Sequence, residues 1–160
     1  MYRTQHRPLR LLLVEDNPAD VRLLRAALAQ GPAKYEMHVV TDGEQALRFL
    51  WPDLRSNAAL PRPDLVLLDL NLPRFSGHEV LRRIKEDPHL RTVPVIVLTS
   101  SQLPADILAA YSHGANSYLP KPTSLDETLD LVRTLEHFWL DLALLPAPPQ
   151  GRGASPADPF

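Results

Sequence analysis

Cysteine is absent from this sequence of 160 residues, which excludes disulfide bonds, thiolate nucleophiles and thiolate metal ligands. Long apolar runs are absent as well, because no stretch approaches the roughly 20 apolar residues that a transmembrane helix needs. The basic N-terminus, residues 1–10, has no apolar core behind it that would serve as a signal peptide. We therefore expect a cytoplasmic protein that does not enter a membrane.

An excess of charge of either sign is also missing. The 17 Lys and Arg residues against 19 Asp and Glu residues give a formal net charge of -2. A protein that holds nucleic acid by its phosphates needs a basic surface, so direct binding of nucleic acid is not expected. The six histidines are too scattered to form a metal-binding tract. With 44% hydrophobic residues, the chain is instead suited to one domain with a single buried core.

The sequence does contain a repeated pattern of short apolar runs that end in polar residues. The runs at 11–14, 65–68 and 95–98 are apolar throughout, which is typical of parallel strands buried on both faces. Two further strands are predicted at 35–40 and 117–120. Because each strand is followed by a segment with helical spacing, the sequence predicts an α/β fold, a doubly wound five-stranded parallel sheet with helices on both faces.

Helix starts are predicted by capping residues at four places. The expected N-caps are Asn17, Asp42, Ser76 and Ser124, the last three followed by Gln or Glu three residues later. The final helix is expected to run to about Leu145. We predict a lead-in over 1–8, one domain over 9–145 with a loop at 52–63, and a disordered Pro-rich tail over 146–160.

Polar residues stand at the carboxyl ends of four predicted strands. Glu15 and Asp16 follow the first strand, Asp69 the third, Thr99 ends the fourth and Lys121 follows the fifth. In an open doubly wound sheet these strand ends share one edge, where ligands bind near the topological switch point. The sequence therefore predicts three carboxylates, a hydroxyl and an ammonium in one place.

This set of groups indicates phosphoryl chemistry assisted by a divalent metal. Crowded carboxylates repel one another unless a cation relieves them, and hard oxygen ligands suit Mg²⁺, with Mn²⁺ as a possible substitute. Mg²⁺ commonly completes its shell with phosphate oxygens, which Lys121 and Thr99 would also contact. A carboxylate beside the metal can attack phosphorus and form an aspartyl phosphate, and Asp69 is the candidate nucleophile.

In this order the residues resemble the receiver domains of bacterial response regulators over residues 11–145. The motifs that carry the resemblance are Val14-Glu15-Asp16-Asn17, Leu67-Leu68-Asp69-Leu70-Asn71-Leu72-Pro73 with Gly77, Leu98-Thr99-Ser100, and Lys121-Pro122 behind Tyr118. The resemblance implies a flavodoxin-like (βα)5 fold with strand order 2-1-3-4-5. It also implies a switch rather than an enzyme, one that assists its own Mg²⁺-dependent phosphorylation and dephosphorylation.

The resemblance implies a role for each residue of the set. Asp69 would be the phosphoacceptor, and Thr99 and Tyr118 the switch residues that repack after phosphorylation. The implied metal ligands are Glu15, Asp16, Asp69 and the backbone carbonyl of Asn71; the implied phosphate contacts are Thr99, Ser100 and Lys121. The peptide bond before Pro122 is left open between cis and trans.

Further motifs resemble single-domain regulators that are paired with bacterial and cyanobacterial phytochrome histidine kinases. These motifs are the long loop before Leu65 and the segments 99–101, 111–118 and 138–146. The resemblance implies a sensor histidine kinase, a phytochrome, as partner in a two-component phosphorelay. Output would then go through protein contacts, without a DNA-binding domain, or the protein would act as a phosphate sink.

The last predicted helix has more apolar surface than docking on a sheet needs. A second apolar stripe consists of Leu131, Leu135, Phe138, Leu142 and Leu145. Such a surface more often marks an interface, so we predict a homodimer through this helix and its neighbours.

Four alternative functions make different demands on the same residues. A phosphohydrolase of the aspartyl-phosphate type needs a second acid two residues after the nucleophile, where Asn71 stands. A flavin or nucleotide binder needs a Gly-rich loop after Val14, where acids stand instead. A transcription factor needs a DNA-binding domain after Leu145. The alternatives that stay open are an aspartyl-phosphate-type phosphohydrolase and a phosphorylation-independent binding module on the same fold.

Overall fold

The computed structural model describes residues 7–51 and 62–147. Most of the predicted loop at 52–63, most of the lead-in and nearly all of the predicted tail therefore lie outside the described residues. Within the described part, five strands alternate with five α-helices, and the last α-helix continues as a π-helical segment. No helix in these ranges is long and apolar enough to cross a membrane.

The strands and helices agree with the alternation that the sequence predicts. The strands are β1 (Leu9–Val14), β2 (Tyr35–Val40), β3 (Leu65–Leu68), β4 (Val95–Thr99) and β5 (Ser117–Pro120). The helices are α1 (Pro18–Gln30), α2 (Gly43–Leu50), α3 (Gly77–Glu86), α4 (Pro104–Ser112) and α5 (Leu125–Glu136), followed by the π-helical segment His137–Leu142.

The five strands form one parallel sheet with the order β2-β1-β3-β4-β5. This order confirms the prediction of a doubly wound (βα)5 fold. The chain runs from β1 outward to β2 and then returns to the other side of β1 to form β3. The crevice between the carboxyl ends of β1 and β3 is therefore the switch point where ligands bind in such sheets.

The core is divided by the sheet into two layers. Alternate residues of a strand point to opposite faces, so Leu12 and Val14 pack with α2, α3 and α4, while Leu11 and Leu13 pack with α1 and α5. Since β1, β3 and β4 are covered on both faces, their apolar runs are buried throughout. Burial on both faces is the physical reason for the uninterrupted apolar pattern.

The four predicted N-caps are confirmed. Each of Asn17, Asp42, Ser76 and Ser124 accepts a hydrogen bond through its side chain from an amide in the first turn. The reciprocal half of the predicted capping box is not formed at α3, because Glu79 pairs with Arg82 and Arg83 instead. In the described part the peptide bonds are trans, including the one before Pro122.

The prediction of a single final helix to about Leu145 is wrong at its end. The α-helical part stops at Glu136, and the chain closes with a wider π turn in which the Ala143 amide donates to the Phe138 carbonyl at 2.7 Å. Trp139 packs against the core layer of α1 and α5, and Phe138 lies edge-on to it at 5.0 Å. Leu145 lies beyond the helical segment.

Candidate functional site

The predicted site residues lie at the carboxyl edge of the sheet, fixed by backbone hydrogen bonds that extend the strand pairing. The Glu15 amide donates to the Val40 carbonyl, and the Asp69 amide donates to the Val14 carbonyl. The Lys121 amide donates to the Thr99 carbonyl. The structure therefore brings Glu15, Asp69, Thr99 and Lys121 to one edge, as the sequence predicts.

Lys121 lies among three carboxylates. Its Nζ is 2.7 Å from Glu15 Oε2, 2.8 Å from Asp69 Oδ2 and 3.0 Å from Asp20 Oδ2. Burial disfavours the charged form of Lys121, but the hydrogen bonds to these carboxylates outweigh it and raise the pKa of the ammonium above its usual value. The lysine is therefore held as a cation directly beside Asp69.

Asp20 is a site residue that the sequence reasoning missed. It lies in the first turn of α1, where an acid ordinarily complements the helix dipole and needs no further explanation. The only feature of the sequence that points to Asp20 as a site residue is its position four residues, about one helical turn, after Asp16. The contact with Lys121 joins two residues that are 101 positions apart, and this could not be predicted without the fold.

A compact group of three acids lies beside the lysine. One carboxylate oxygen each from Glu15, Asp16 and Asp69 lies within 4.8 Å of the others. Burial raises the pKa of Glu15 to about 6, the charge of Asp69 acts in the same direction, and hydrogen bonds from Lys121 and the Asn17 amide oppose it. Two buried acids and one exposed acid, all oxygen donors, are a ligand set that suits Mg²⁺ or Mn²⁺.

The loop after Asp69 is held tightly against the start of α3. The Asn71 amide donates to Asp69 Oδ1 at 3.2 Å, and the Gly77 amide donates to the Leu70 carbonyl at 2.9 Å. A Cβ at Gly77 would lie 2.1 Å from the Asp69 carbonyl oxygen, so only glycine lets the helix begin here. Metal binding by the Asn71 carbonyl stays a prediction.

The two expected switch residues meet at the loop after β4. Thr99 is fully buried, and its Oγ1 accepts a hydrogen bond from the Ser101 amide at 3.3 Å. Tyr118 is partly buried against the core layer of α2, α3 and α4, and its hydroxyl donates to the Ser101 carbonyl at 2.9 Å. Ser100 is exposed, whereas Ser101, which the sequence reasoning did not assign to the site, contacts both switch residues.

The residues of the predicted dimer stripe do not form one continuous surface. Leu135 is partly buried against the core layer of α1 and α5, and Leu131 lines a pocket with Asp20 and Lys121. Phe138 and Leu142 are exposed, at 51% and 60%. Of this stripe, the side chains that are exposed to a partner are Phe138 and Leu142, both in the π-helical segment.

Residues 11–133 match the family model of the response regulator receiver domain. The chain is 41% identical over 140 residues to the response regulator Rcp1 of Synechocystis sp.. This alignment covers 88% of this chain and 95% of Rcp1. The similarity therefore spans nearly the full length of that relative.

Solved structures agree with this result. The Mn²⁺-bound form of Rcp1 matches with a TM-score of 0.80, over 88% of this chain and 100% of that chain. The phosphorylated cyanobacterial phytochrome response regulator RcpA is 42% identical and matches with a TM-score of 0.81, over 88% of this chain and 100% of that chain.

A third structure is a more distant receiver domain with a metal ion. The receiver domain of the sensor histidine kinase PA1611 from Pseudomonas aeruginosa, with magnesium in its active-site cleft, is 32% identical, with a TM-score of 0.64 over 82% of this chain and 97% of that chain. The strand order, the acidic edge and these similarities lead to one conclusion. The chain belongs to the family of response regulator receiver domains and has their flavodoxin-like fold.

Proposed function

We propose that this chain is the phosphoacceptor switch of a two-component phosphorelay and that Asp69 receives the phosphoryl group from a sensor histidine kinase. The observation that carries the proposal is the position of Asp69, a buried carboxylate 2.8 Å from the ammonium of Lys121 and beside two further acids. The unit that performs this function is the domain over 9–145.

In the proposed transfer, a carboxylate oxygen of Asp69 attacks the phosphorus of a phosphohistidine. The new phosphorus–oxygen bond forms as the phosphorus–nitrogen bond breaks, and the departing imidazole nitrogen keeps the electron pair and takes a proton from solvent. Lys121 moves its hydrogen bond from the Asp69 carboxylate to a phosphoryl oxygen. Thr99 and Ser100 donate to the other phosphoryl oxygens.

The proposed metal ligands are the carboxylates of Glu15, Asp16 and Asp69 with the Asn71 carbonyl. When bound there, Mg²⁺ or Mn²⁺ would neutralise charge on the phosphoryl oxygens during transfer and during hydrolysis. In this sense the protein assists its own phosphorylation and dephosphorylation.

We propose that a phytochrome is the kinase, because the chain is similar over nearly its full length to Rcp1 and to RcpA, and RcpA is described as a phytochrome response regulator. Phosphotransfer draws on ATP, so the proposed location is the cytoplasm. The proposed output is a protein contact made after Thr99 and Tyr118 repack.

Intact-mass spectrometry after incubation with acetyl phosphate and Mg²⁺ tests the phosphoacceptor directly. The expected result is one phosphate adduct that is lost in Asp69→Asn and when the metal is chelated. Asp64→Asn is the matched control, since Asp64 is also buried but lies just before β3, at the opposite end of that strand. A folded parent protein that takes no adduct rejects the proposal.

Transfer from a purified kinase tests the partner. A phytochrome kinase labelled with radioactive ATP is expected to pass its label to the parent chain and not to Asp69→Asn. A histidine kinase of another sensor class serves as the control. Equal transfer from both kinases would leave the switch intact and remove the phytochrome as its specific partner.

We also propose a homodimer that uses the apolar surface of the last helix and its π-helical extension. Phe138 and Leu142 are exposed, and Leu144 beside them is 76% exposed. Phe138→Asp is expected to give monomers in sedimentation velocity runs, whereas His89→Asp, a change at an exposed residue in the turn after α3, should leave the dimer intact. A monomeric parent protein ends this proposal.

A further inference from the structure

The loop between β4 and α4 contains a chain of hydrogen bonds outside the group of acids. Ser101 Oγ donates to Asp106 Oδ2, and Asp106 lies in the first turn of α4. The other oxygen of Asp106 lies 3.5 Å from His78 Nε2 on α3. The Asp106 carboxylate is therefore held between the loop on one side and a neighbouring helix on the other.

Ser101 is contacted through each of its three polar groups. Its amide donates to Thr99 Oγ1 at 3.3 Å, and its carbonyl accepts from the Tyr118 hydroxyl at 2.9 Å. Its side chain is bonded to Asp106. One residue thus joins both expected switch residues to the beginning of α4.

The Asp106 contact is not ordinary helix capping. The N-cap position of α4 is Leu103, whose side chain cannot accept a hydrogen bond, and its amide is 3.4 Å from Ser101 Oγ. An acid three residues after the N-cap commonly turns back to the N-cap amide. Asp106 instead reaches the side chain of Ser101, two residues before the N-cap, and so fixes the loop rather than the helix end.

We propose that Asp106 is a positioning residue of the switch. Through Ser101 it fixes the carbonyl that accepts from Tyr118 and the amide that donates to Thr99, and so it stabilises the inward position of the Tyr118 ring. This inference rests on the proposed roles of Thr99 and Tyr118. Because phosphorylation also favours the inward ring, loss of Asp106 lowers the tendency of Asp69 to become phosphorylated.

Fluorine NMR of protein labelled with 3-fluorotyrosine tests the position of the Tyr118 ring, whose signal is assigned with Tyr118→Phe. Ser101→Ala and Asp106→Ala are both expected to move this signal toward that of an exposed tyrosine. Asp106→Asn keeps an acceptor oxygen for Ser101 and is expected to restore the parent signal. Asp126→Ala, a change in the first turn of α5, is the matched control.

A thermodynamic cycle tests whether the effect passes through Ser101. Asp106→Ala and Tyr118→Phe are expected to shift the urea midpoint non-additively, because their side chains are connected through Ser101. The coupling between the two substitutions should vanish in a Ser101→Ala background. Additive midpoints, or a Tyr118 signal that stays at the parent position in both alanine variants, overturn the inference.

The phosphorylation assay separates this inference from the proposed function. Ser101→Ala and Asp106→Ala both retain Asp69 and should still take the phosphate adduct. The acetyl phosphate concentration that gives the same adduct level should be roughly fivefold higher than for the parent chain, which corresponds to the loss of about one net hydrogen bond. A parent chain that takes no adduct rejects the proposed function. The position of the Tyr118 signal still decides the role of Asp106 in that case.

Discussion

The side chain of Lys121 balances several like charges at close range. One ammonium, 15% exposed, contacts the carboxylates of Glu15, Asp69 and Asp20. Removing one partner from a buried ionic group leaves the other charges uncompensated, which is usually costly. The lysine is therefore a structural counterion before it contacts any phosphate.

Lys121→Ala is expected to lower the free energy of unfolding by about 3 kcal/mol when divalent metals are chelated. The reason is mutual repulsion among the three carboxylates that lose their common partner. Urea unfolding in the presence of a chelator measures the effect, with Lys34→Ala, an exposed lysine, as the control. Equal losses in the two variants would contradict the role of Lys121 as counterion.

Tyr35 is a second residue whose environment has a measurable consequence. Its hydroxyl donates to Glu136 Oε1 at 2.9 Å, and burial together with this carboxylate raises the pKa of the phenol above its usual value. Because the folded pKa lies above the unfolded value of about 10, Tyr35 contributes stability below that pH, and the contribution is lost as pH rises further.

An ultraviolet titration of the tyrosines tests this prediction. In the parent protein, one phenol is expected to ionise well after the others, and Tyr35→Phe should remove that late phase alone. Alkaline unfolding should also become less steep in the variant. If the phase that disappears is one that titrates near pH 10, Tyr35 is in an ordinary environment.

At the scale of elements, the loop between β3 and α3 is fixed by close packing. Arg74 has a left-handed backbone with φ of 69° and pairs with Glu44 at the start of α2, 2.6 Å away. The Gly43 amide donates to the Pro73 carbonyl at 3.4 Å. The loop that follows Asp69 is thus held by α2 and α3. Substitutions that displace this loop should therefore displace Asp69 as well.

Gly77→Ala is expected to destabilise the protein by about 2 kcal/mol and to slow formation of the Asp69 adduct. The added Cβ would lie 2.1 Å from backbone oxygen of Asp69, which cannot move without displacing the nucleophile. Gly31→Ala is the comparison, since its Cβ would meet the end of the flexible Glu136 side chain. Thermal melts and the mass assay measure both effects, and equal behaviour of the two variants would be the contrary result.

For the molecule as a whole, metal binding should be linked to folding. The three acids of the group lie on two separate strand ends, so an ion that needs all of them binds the folded chain in preference to the unfolded one. At a Mg²⁺ concentration of 100 times its dissociation constant, the expected gain in stability is about 2.7 kcal/mol.

Urea unfolding with and without Mg²⁺ measures this linkage. The gain should be reversed by a chelator and reduced in Asp16→Asn, which removes a carboxylate without disturbing the core because Asp16 is exposed. Asp126→Asn, an exposed acid on α5, should keep the full gain. Superimposable parent curves with and without Mg²⁺ would exclude metal binding in the native state.

Much of the architecture could be predicted from local sequence. Runs such as Leu65–Leu68 are apolar throughout because β3 is covered on both faces, and capping residues such as Asn17 satisfy amides within their own turn. The parallel sheet then follows from the alternation, and the acidic edge follows from where each strand ends. These features depend on neighbouring residues, so a single sequence contains them.

The remaining features depend on contacts between distant segments, and the tertiary structure decided them. The pairing of Asp20 with Lys121 joins residues 101 positions apart, and the bond from Tyr118 to Ser101 joins residues 17 positions apart. The apolar residues of the final helix follow the spacing expected of an α-helix, so the sequence pattern did not predict the π turn after Glu136. Leu135 and Phe138 belong to one stripe in sequence, yet Leu135 packs against the core and Phe138 is exposed, because the position of the neighbouring elements decides which part of a helix is covered.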